Sequence, residues 1–165
     1  MTGETATGAR VLALAERPDA AGRVARWYVD EWSPPDRDPV PELARVLSEM
    51  RRALGDGGLP STWLAEDDGA VIGAAQLKRR EVPALDAFEH WLGGVYVAPP
   101  FRGRGTARRL IERCVEDATK RGVERLHLQT EVRNVGLYER LGWTTAELPP
   151  GLVHERPVMV RPLER

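Results

Sequence analysis

The sequence predicts an α/β (α+β) fold in which a mixed sheet is flanked by helices. Two patterns carry this expectation. Short apolar runs of strand length alternate with longer segments whose apolar residues recur every three to four positions, and glycine- or proline-rich breaks separate them. Their order is one strand, two helices, three strands, a helix, a strand, a helix and two strands, which suits one layered domain over residues 10–165. A chain of 165 residues is also of single-domain size.

Residues 1–9 are small and polar and read as a flexible tail. RVLALA, from Arg10, reads as the first strand, and Pro18 and Asp19 as a turn with a helix N-cap. Ala21, Val24, Ala25, Tyr28 and Trp32 then follow at helical spacing. After the breaker cluster SPPDRDP, a second helix starts near Pro41, with Leu43, Val46, Leu47, Met50 and Leu54 on one stripe, and GDGGLP ends it. Two apolar runs around Asp68-Gly69 read as a hairpin, and Lys78-Arg79-Arg80 as a solvated strand end. WLGGVYVAP, from Trp91, reads as a central strand in which Gly93-Gly94 predicts a bulge or a close backbone approach.

The third helix carries Ala107, Leu110, Ile111, Cys114, Val115 and Ala118 on its apolar stripe. Arg113/Asp117 and Glu116/Lys120 stand at i,i+4 on the other face, and Gly122 closes it. VERLHLQT is a strand, a short helix surrounds Tyr138 and ends at Gly142, and two last strands flank Pro149-Pro150-Gly151.

Composition narrows the function classes. Twenty-four Lys and Arg against 25 Asp and Glu leave a net charge of -1, so a nucleic-acid partner is not expected. No apolar run approaches the roughly 20 residues that span a bilayer, and no membrane partner is expected. The single cysteine, Cys114, excludes an internal disulfide, and its place on an apolar stripe reads as a core thiol. MTGETATGAR lacks the basic and apolar regions of a signal peptide, so the expected location is cytoplasmic. No His/Cys/Asp spacing suggests a metal site, and His127 and His154 stand isolated.

The strongest functional signal is the loop Arg102-Gly103-Arg104-Gly105-Thr106-Ala107 between a strand and a helix. A helix start leaves backbone N–H groups unpaired, its dipole favours negative charge, and small residues let a phosphate come close. A Walker loop, G-x-x-x-x-G-K-[ST], is absent. A dinucleotide fingerprint fails because Arg108 occupies the last small position. The acyl-coenzyme-A loop [QR]-x-x-G-x-[GA] is met in full by Arg102, Gly105 and Ala107.

With VYVAPPFRGRGTARRL and the later LYERLGW in this order, the chain resembles the GNAT superfamily of N-acetyltransferases from about Trp63 to Arg161. The wording LPSTW and WLGGVYV is similar to the actin N-terminal acetyltransferase and its small bacterial relatives. The resemblance implies a mostly antiparallel sheet of about 6-7 strands, splayed in the middle and flanked by about 4 helices. It implies acetyl-CoA as cosubstrate and an amine acceptor, with no metal; a homodimer is also common among such proteins. It implies pantetheine bound through the backbone of Gly94 to Val97, with Val95 and Val97 on one face and Tyr96 on the other. The phosphates would lie on Arg102, Gly103, Arg104, Gly105, Thr106 and Ala107.

By the same resemblance Tyr138 is the candidate acid for the leaving thiolate, and Glu89 or His90, or an ordered water, the candidate base. Trp63 and Trp91 are candidates for the acceptor pocket. The family's Asn-x-x-Ala-x-x-Leu-Tyr spacing is not kept, since Asn134 lies only four positions before Tyr138, so no coenzyme role passes to Asn134. Two readings stay open: an acetyl-CoA-dependent N-acetyltransferase, or a silent GNAT-like module that binds acyl-CoA as a sensor.

Overall fold

The computed structural model describes residues 8–164. Seven of the nine residues read as a tail lie outside the described residues. The chain forms β1 (Arg10–Ala13), α1 (Ala21–Trp32), α2 (Pro39–Asp56), β2 (Ser61–Asp67), β3 (Ala70–Arg79) and β4 (His90–Val97). It continues through α3 (Thr106–Lys120), β5 (Arg125–Gln129), α4 (Val135–Arg140), β6 (Thr144–Thr145) and β7 (Val158–Pro162). Element order and type match the sequence reading throughout.

One sheet holds all seven strands in the order β1-β2-β3-β4-β5-β7-β6. Every neighbouring pair is antiparallel except β4 and β5. Helices α3 and α4 cover one face, where Leu110, Ile111, Cys114, Tyr138 and Trp143 pack against Leu77, Leu92, Leu126 and Leu128. Helices α1 and α2 cover the other face, with Val24, Ala25, Tyr28 and Met50 on Leu12, Leu64 and Ala74. A third cluster, Val82, Leu85, Trp91, Ala146 and Val158, closes the β4–β7 end. Among the described residues no helix is long and apolar enough to cross a membrane.

Local chemistry sets the helix ends. Asp38 caps α2, its carboxylate accepting from the Val40 N–H at 3.0 Å, and Pro39 fills the first turn, so α2 starts two residues before Pro41. Asp19 does not cap α1. It pairs with Arg17 at 3.1 Å, and α1 grows from a 3-10 turn over Pro18–Ala20. Gly122, at φ 78, ends α3: its N–H reaches the Thr119 carbonyl, and the Val123 N–H reaches Ala118. The charge pairs on α3 differ from the spacing rule. Asp117 bonds Arg121 and the Trp63 indole, leaving Arg113 to pair with Glu116.

Two irregularities position the site. The parallel strands β4 and β5 share one register pair, Trp91↔His127, and are no longer paired beyond it. On the other side of β4 the register with β3 slips, from Gln76↔Gly93 to Ala74↔Tyr96, so β4 carries one extra residue there. This is the bulge expected from Gly93-Gly94, and Gly94 takes φ 59, in the region that suits glycine. A parallel pair cut short on one edge and a bulge on the other open β4 in the middle of the sheet.

Candidate active site

The opening is a cleft of about 990 Å³. Its floor is β4 from Leu92 to Val97, one wall is Leu128 to Glu131 with Tyr138, and the other is α1 with the end of β3. At one end stands the phosphate-type loop. A 3-10 turn over Pro99–Phe101 leads out of β4, Gly103 and Gly105 take φ 78 and 79, and Gly105 is the N-cap of α3. No side chain caps α3, and a Cβ built on Gly103 or Gly105 would meet open space. The helix therefore presents its first N–H groups and dipole to the cleft without a competing carboxylate. That is a cradle a phosphate can enter, and acyl-CoA's pyrophosphate fits its charge and its lack of side-chain bulk.

The two arginines of the loop each stand over an aromatic ring. Arg102 folds back, donating through Nε to the Val97 carbonyl at 2.8 Å with its guanidinium 5.6 Å from the Tyr96 ring centre. It straps the loop to the end of β4. Arg104 stands 5.7 Å from the Phe101 ring and does not line the cleft. Val95, Tyr96, Val97, Arg102, Gly103, Gly105, Thr106 and Ala107 do line it. As the alternation requires, Val95 and Val97 face the α3 side, while Tyr96 packs on Trp27 of α1 at 5.0 Å.

At the other end four residues converge on the bulge. Tyr138 comes from α4, held edge-on to Trp143 at 6.1 Å. Burial, with the nearby Cys114 and Glu81, pushes its phenol up to about 12, so the hydroxyl is a proton carrier at neutral pH. Glu81 follows β3, and a Cβ on Gly93 would lie 2.8 Å from its Oε1. Its carboxylate is partly shielded and bonds Lys78 at 3.1 Å, and both side chains line the cleft. Tyr28, from α1, closes over Gly94, where a Cβ would lie 2.7 Å from its hydroxyl.

A family model, that of the acetyltransferase (GNAT) family, matches residues 22–143. The chain belongs to the GNAT family. Acetyltransferase ECA0875 of Pectobacterium atrosepticum is 30% identical over 143 residues, covering 82% of this chain and 89% of that protein. The uncharacterized N-acetyltransferase YjgM of Escherichia coli is 31% identical over 110 residues, 64% of this chain and 60% of its own length. The fold is also that of a GNAT superfamily phosphinothricin acetyltransferase from Sinorhizobium meliloti, solved in complex with acetyl-CoA. The TM-score is 0.69 at 21% identity, over 95% of this chain and 89% of that one.

Within this GNAT fold several predicted site residues fall elsewhere. Glu89 and His90 do not line the cleft. They sit at the start of β4, four to five residues before Gly94, and a strand advances about 3.3 Å per residue, so they stand some 13 Å or more from the bulge. Glu89 pairs with Arg79 at 3.5 Å, and burial lowers the pKa of His90. Trp63 lies on β2 under the C-terminal half of α3, where its indole donates to Asp117 at 3.1 Å and Arg113 stands 5.1 Å over the ring. Trp91 is fully buried in the third cluster and donates to the Phe88 carbonyl at 2.6 Å. Neither tryptophan lines the cleft; Trp32, 43% exposed at the end of α1, does. Cys114 is buried, and burial raises its thiol pKa, as a core thiol requires.

Among the cleft residues that sequence reasoning did not single out for chemistry are Glu81 and Tyr28. Glu81 closes a run of charges that looks like surface. It is turned over the bulge because Arg80 adopts φ 51, and nothing in the local sequence announces that turn. Tyr28 was visible only as a member of a helical stripe.

Proposed function

We propose that this protein is an N-acetyltransferase that moves an acetyl group from acetyl-CoA to a primary amine by direct attack within one ternary complex. The single observation that carries this is the shape of the cleft. A helix N-terminus free of side chains lies at one end and a glycine bulge flanked by a carboxylate and a phenol at the other, joined by one exposed strand edge.

The roles follow from position. Backbone N–H groups from Gly103 to Ala107 hold the pyrophosphate. The free edge of β4 from Gly94 to Val97, which β5 does not pair, takes the pantetheine amides. The thioester then lies at the bulge, where it is already activated toward attack. An alkylamine with pKa about 10.4 arrives mostly protonated and reacts only when neutral. Glu81 replaces Glu89 and His90 as the candidate base: its carboxylate borders the bulge, and Lys78 donates to it at 3.1 Å and orients it. The amine nitrogen bonds to the acetyl carbon, the carbon–sulfur bond breaks, and the electron pair leaves on sulfur. Tyr138 gives its proton to that thiolate, the proton shed by nitrogen passes to Glu81, and a proton returns from Glu81 to the Tyr138 phenolate through water. One proton thus moves from neutral amine to thiol, while the extra proton of an arriving ammonium goes to solvent. Holding the reactants at near-attack distance supplies much of the rest of the rate.

The test is release of free thiol from acetyl-CoA in the presence of a panel of primary amines, with the product mass recorded. Matched thiol release and N-acetylation support the enzyme. Tight acetyl-CoA binding without turnover on any amine would favour the sensor module instead.

A further inference from the structure

Tyr28 is the buried titratable group of the cleft that the transfer chemistry leaves unused. Its side chain reaches from α1 across the sheet face to Gly94, and a Cβ there would stand 2.7 Å from both Cζ and the hydroxyl. The fit depends on glycine, and the ring occupies the space directly over the bulge. It cannot swing away freely. Trp32 packs on it at 5.4 Å, and its helix is anchored by Val24 and Ala25, both fully buried. The ring is 8% exposed and lines the cleft.

The hydroxyl adds a second observation. It is buried and has no hydrogen-bond partner among the described residues. A phenylalanine would fill the same volume without stranding a polar atom, so packing alone does not explain a tyrosine here. Burial, with Cys114 and Glu81 nearby, keeps the phenol neutral and therefore a donor. A donor without an acceptor, at the point where the cleft closes, suits a wall that meets a polar group of a bound molecule.

We propose that Tyr28 sets the acyl specificity of the enzyme: its ring is the end wall of the acyl subsite, admitting acetyl and turning away longer chains. This rests on the reading that the thioester of acyl-CoA lies at the Gly94 bulge. An acyl group there is bounded by the Tyr28 ring, and each further methylene must displace a braced aromatic side chain. Discrimination of one methylene by a packed wall is worth roughly 10- to 200-fold.

The experiment is calorimetric binding of CoA, acetyl-CoA, butyryl-CoA and hexanoyl-CoA to the wild type, Tyr28→Phe and Tyr28→Leu, with folding checked by circular dichroism. Wild type is expected to bind hexanoyl-CoA at least about 100-fold more weakly than acetyl-CoA. Tyr28→Phe, which keeps the ring, should keep that gap. Tyr28→Leu, which shortens the wall, should narrow it about tenfold or more while leaving CoA affinity unchanged. The proposal is overturned if wild type binds hexanoyl-CoA within about threefold of acetyl-CoA, less than one methylene's discrimination. It is overturned equally if folded Tyr28→Leu keeps the full gap or if Tyr28→Phe abolishes it. Should Tyr28→Leu not fold, the wild type and Tyr28→Phe arms still decide. Failure of wild type to bind CoA at all would instead remove the acetyl-CoA reading beneath it.

Discussion

The loop end of the cleft is one contiguous stretch, Arg102 to Ala107, and what it presents is backbone N–H groups and glycine torsions. The bulge end is assembled from Tyr28, Glu81, Gly94 and Tyr138, four residues on separate parts of the chain, and what it presents is mainly side chains. The difference teaches which kind of site a sequence can display. A backbone site is written in consecutive letters, because the torsions it needs are local. A side-chain site is written in the fold, because each member matters only through what faces it.

The same difference predicts how each end breaks. At the bulge end, Glu81→Gln keeps the shape and removes the proposed proton acceptor. We expect kcat/KM to fall by roughly 100- to 10,000-fold, with coenzyme affinity nearly unchanged by calorimetry. Glu89→Gln and His90→Ala, well away from the bulge, should stay within about threefold of wild type, short of the losses a proton-transfer residue gives. A large loss in either, with Glu81→Gln active, would move the base back to the strand start.

At the loop end, Gly105→Val should weaken coenzyme binding by about 100-fold, since a β-branched residue resists φ 79 and its bulk stands where phosphate enters. The built Cβ meets no protein atom, so the fold should survive. Undiminished affinity in a folded variant would refute the cradle. Tyr138→Phe removes only a hydroxyl. A thiol has a pKa near 8.5 and leaves readily, so the acid's help sits toward the low end, about 100-fold in kcat, with binding intact. An unchanged kcat with chemistry rate-limiting would return Tyr138 to the core.

The smallest effect concerns stability alone. His127 stacks on Phe88 at 4.0 Å, and burial, with Arg125 nearby, pushes its pKa down to about 4. Above pH 6.5 folded and unfolded chains both hold it neutral, and its contribution is complete. Between pH 6.5 and 4 the unfolded chain takes up a proton that the folded one refuses, so stability falls by about 1–3 kcal/mol. Denaturant melts across that range should lose most of this slope in His127→Leu. An equal slope would assign it to other groups.

Most of the fold was legible because its signals are local. Alternating and helical periodicities named all eleven elements, and Gly93-Gly94 announced the bulge. The turn at Gly103 and Gly105 ahead of α3 was legible for the same reason. The tryptophans were not, because the fate of a large side chain in a strand depends on the layer opposite. Trp63 meets α3, and Trp91 meets Phe88 and His127. The carboxylate beside the bulge was not legible, because position along β4 does not give position at the bulge, and Glu81 lies on a turn whose torsion at Arg80 no periodicity encodes.

A crystal structure of the protein with acetyl-CoA bound tests the central claim most directly. The account predicts the pyrophosphate on the backbone N–H groups of Gly103 to Ala107. It also predicts the thioester at Gly94, with its sulfur within about 3.5 Å of the Tyr138 hydroxyl and its carbonyl carbon facing the Glu81 side of the cleft. A coenzyme whose thioester lies instead beside Glu89 and His90, or away from β4 altogether, would contradict it.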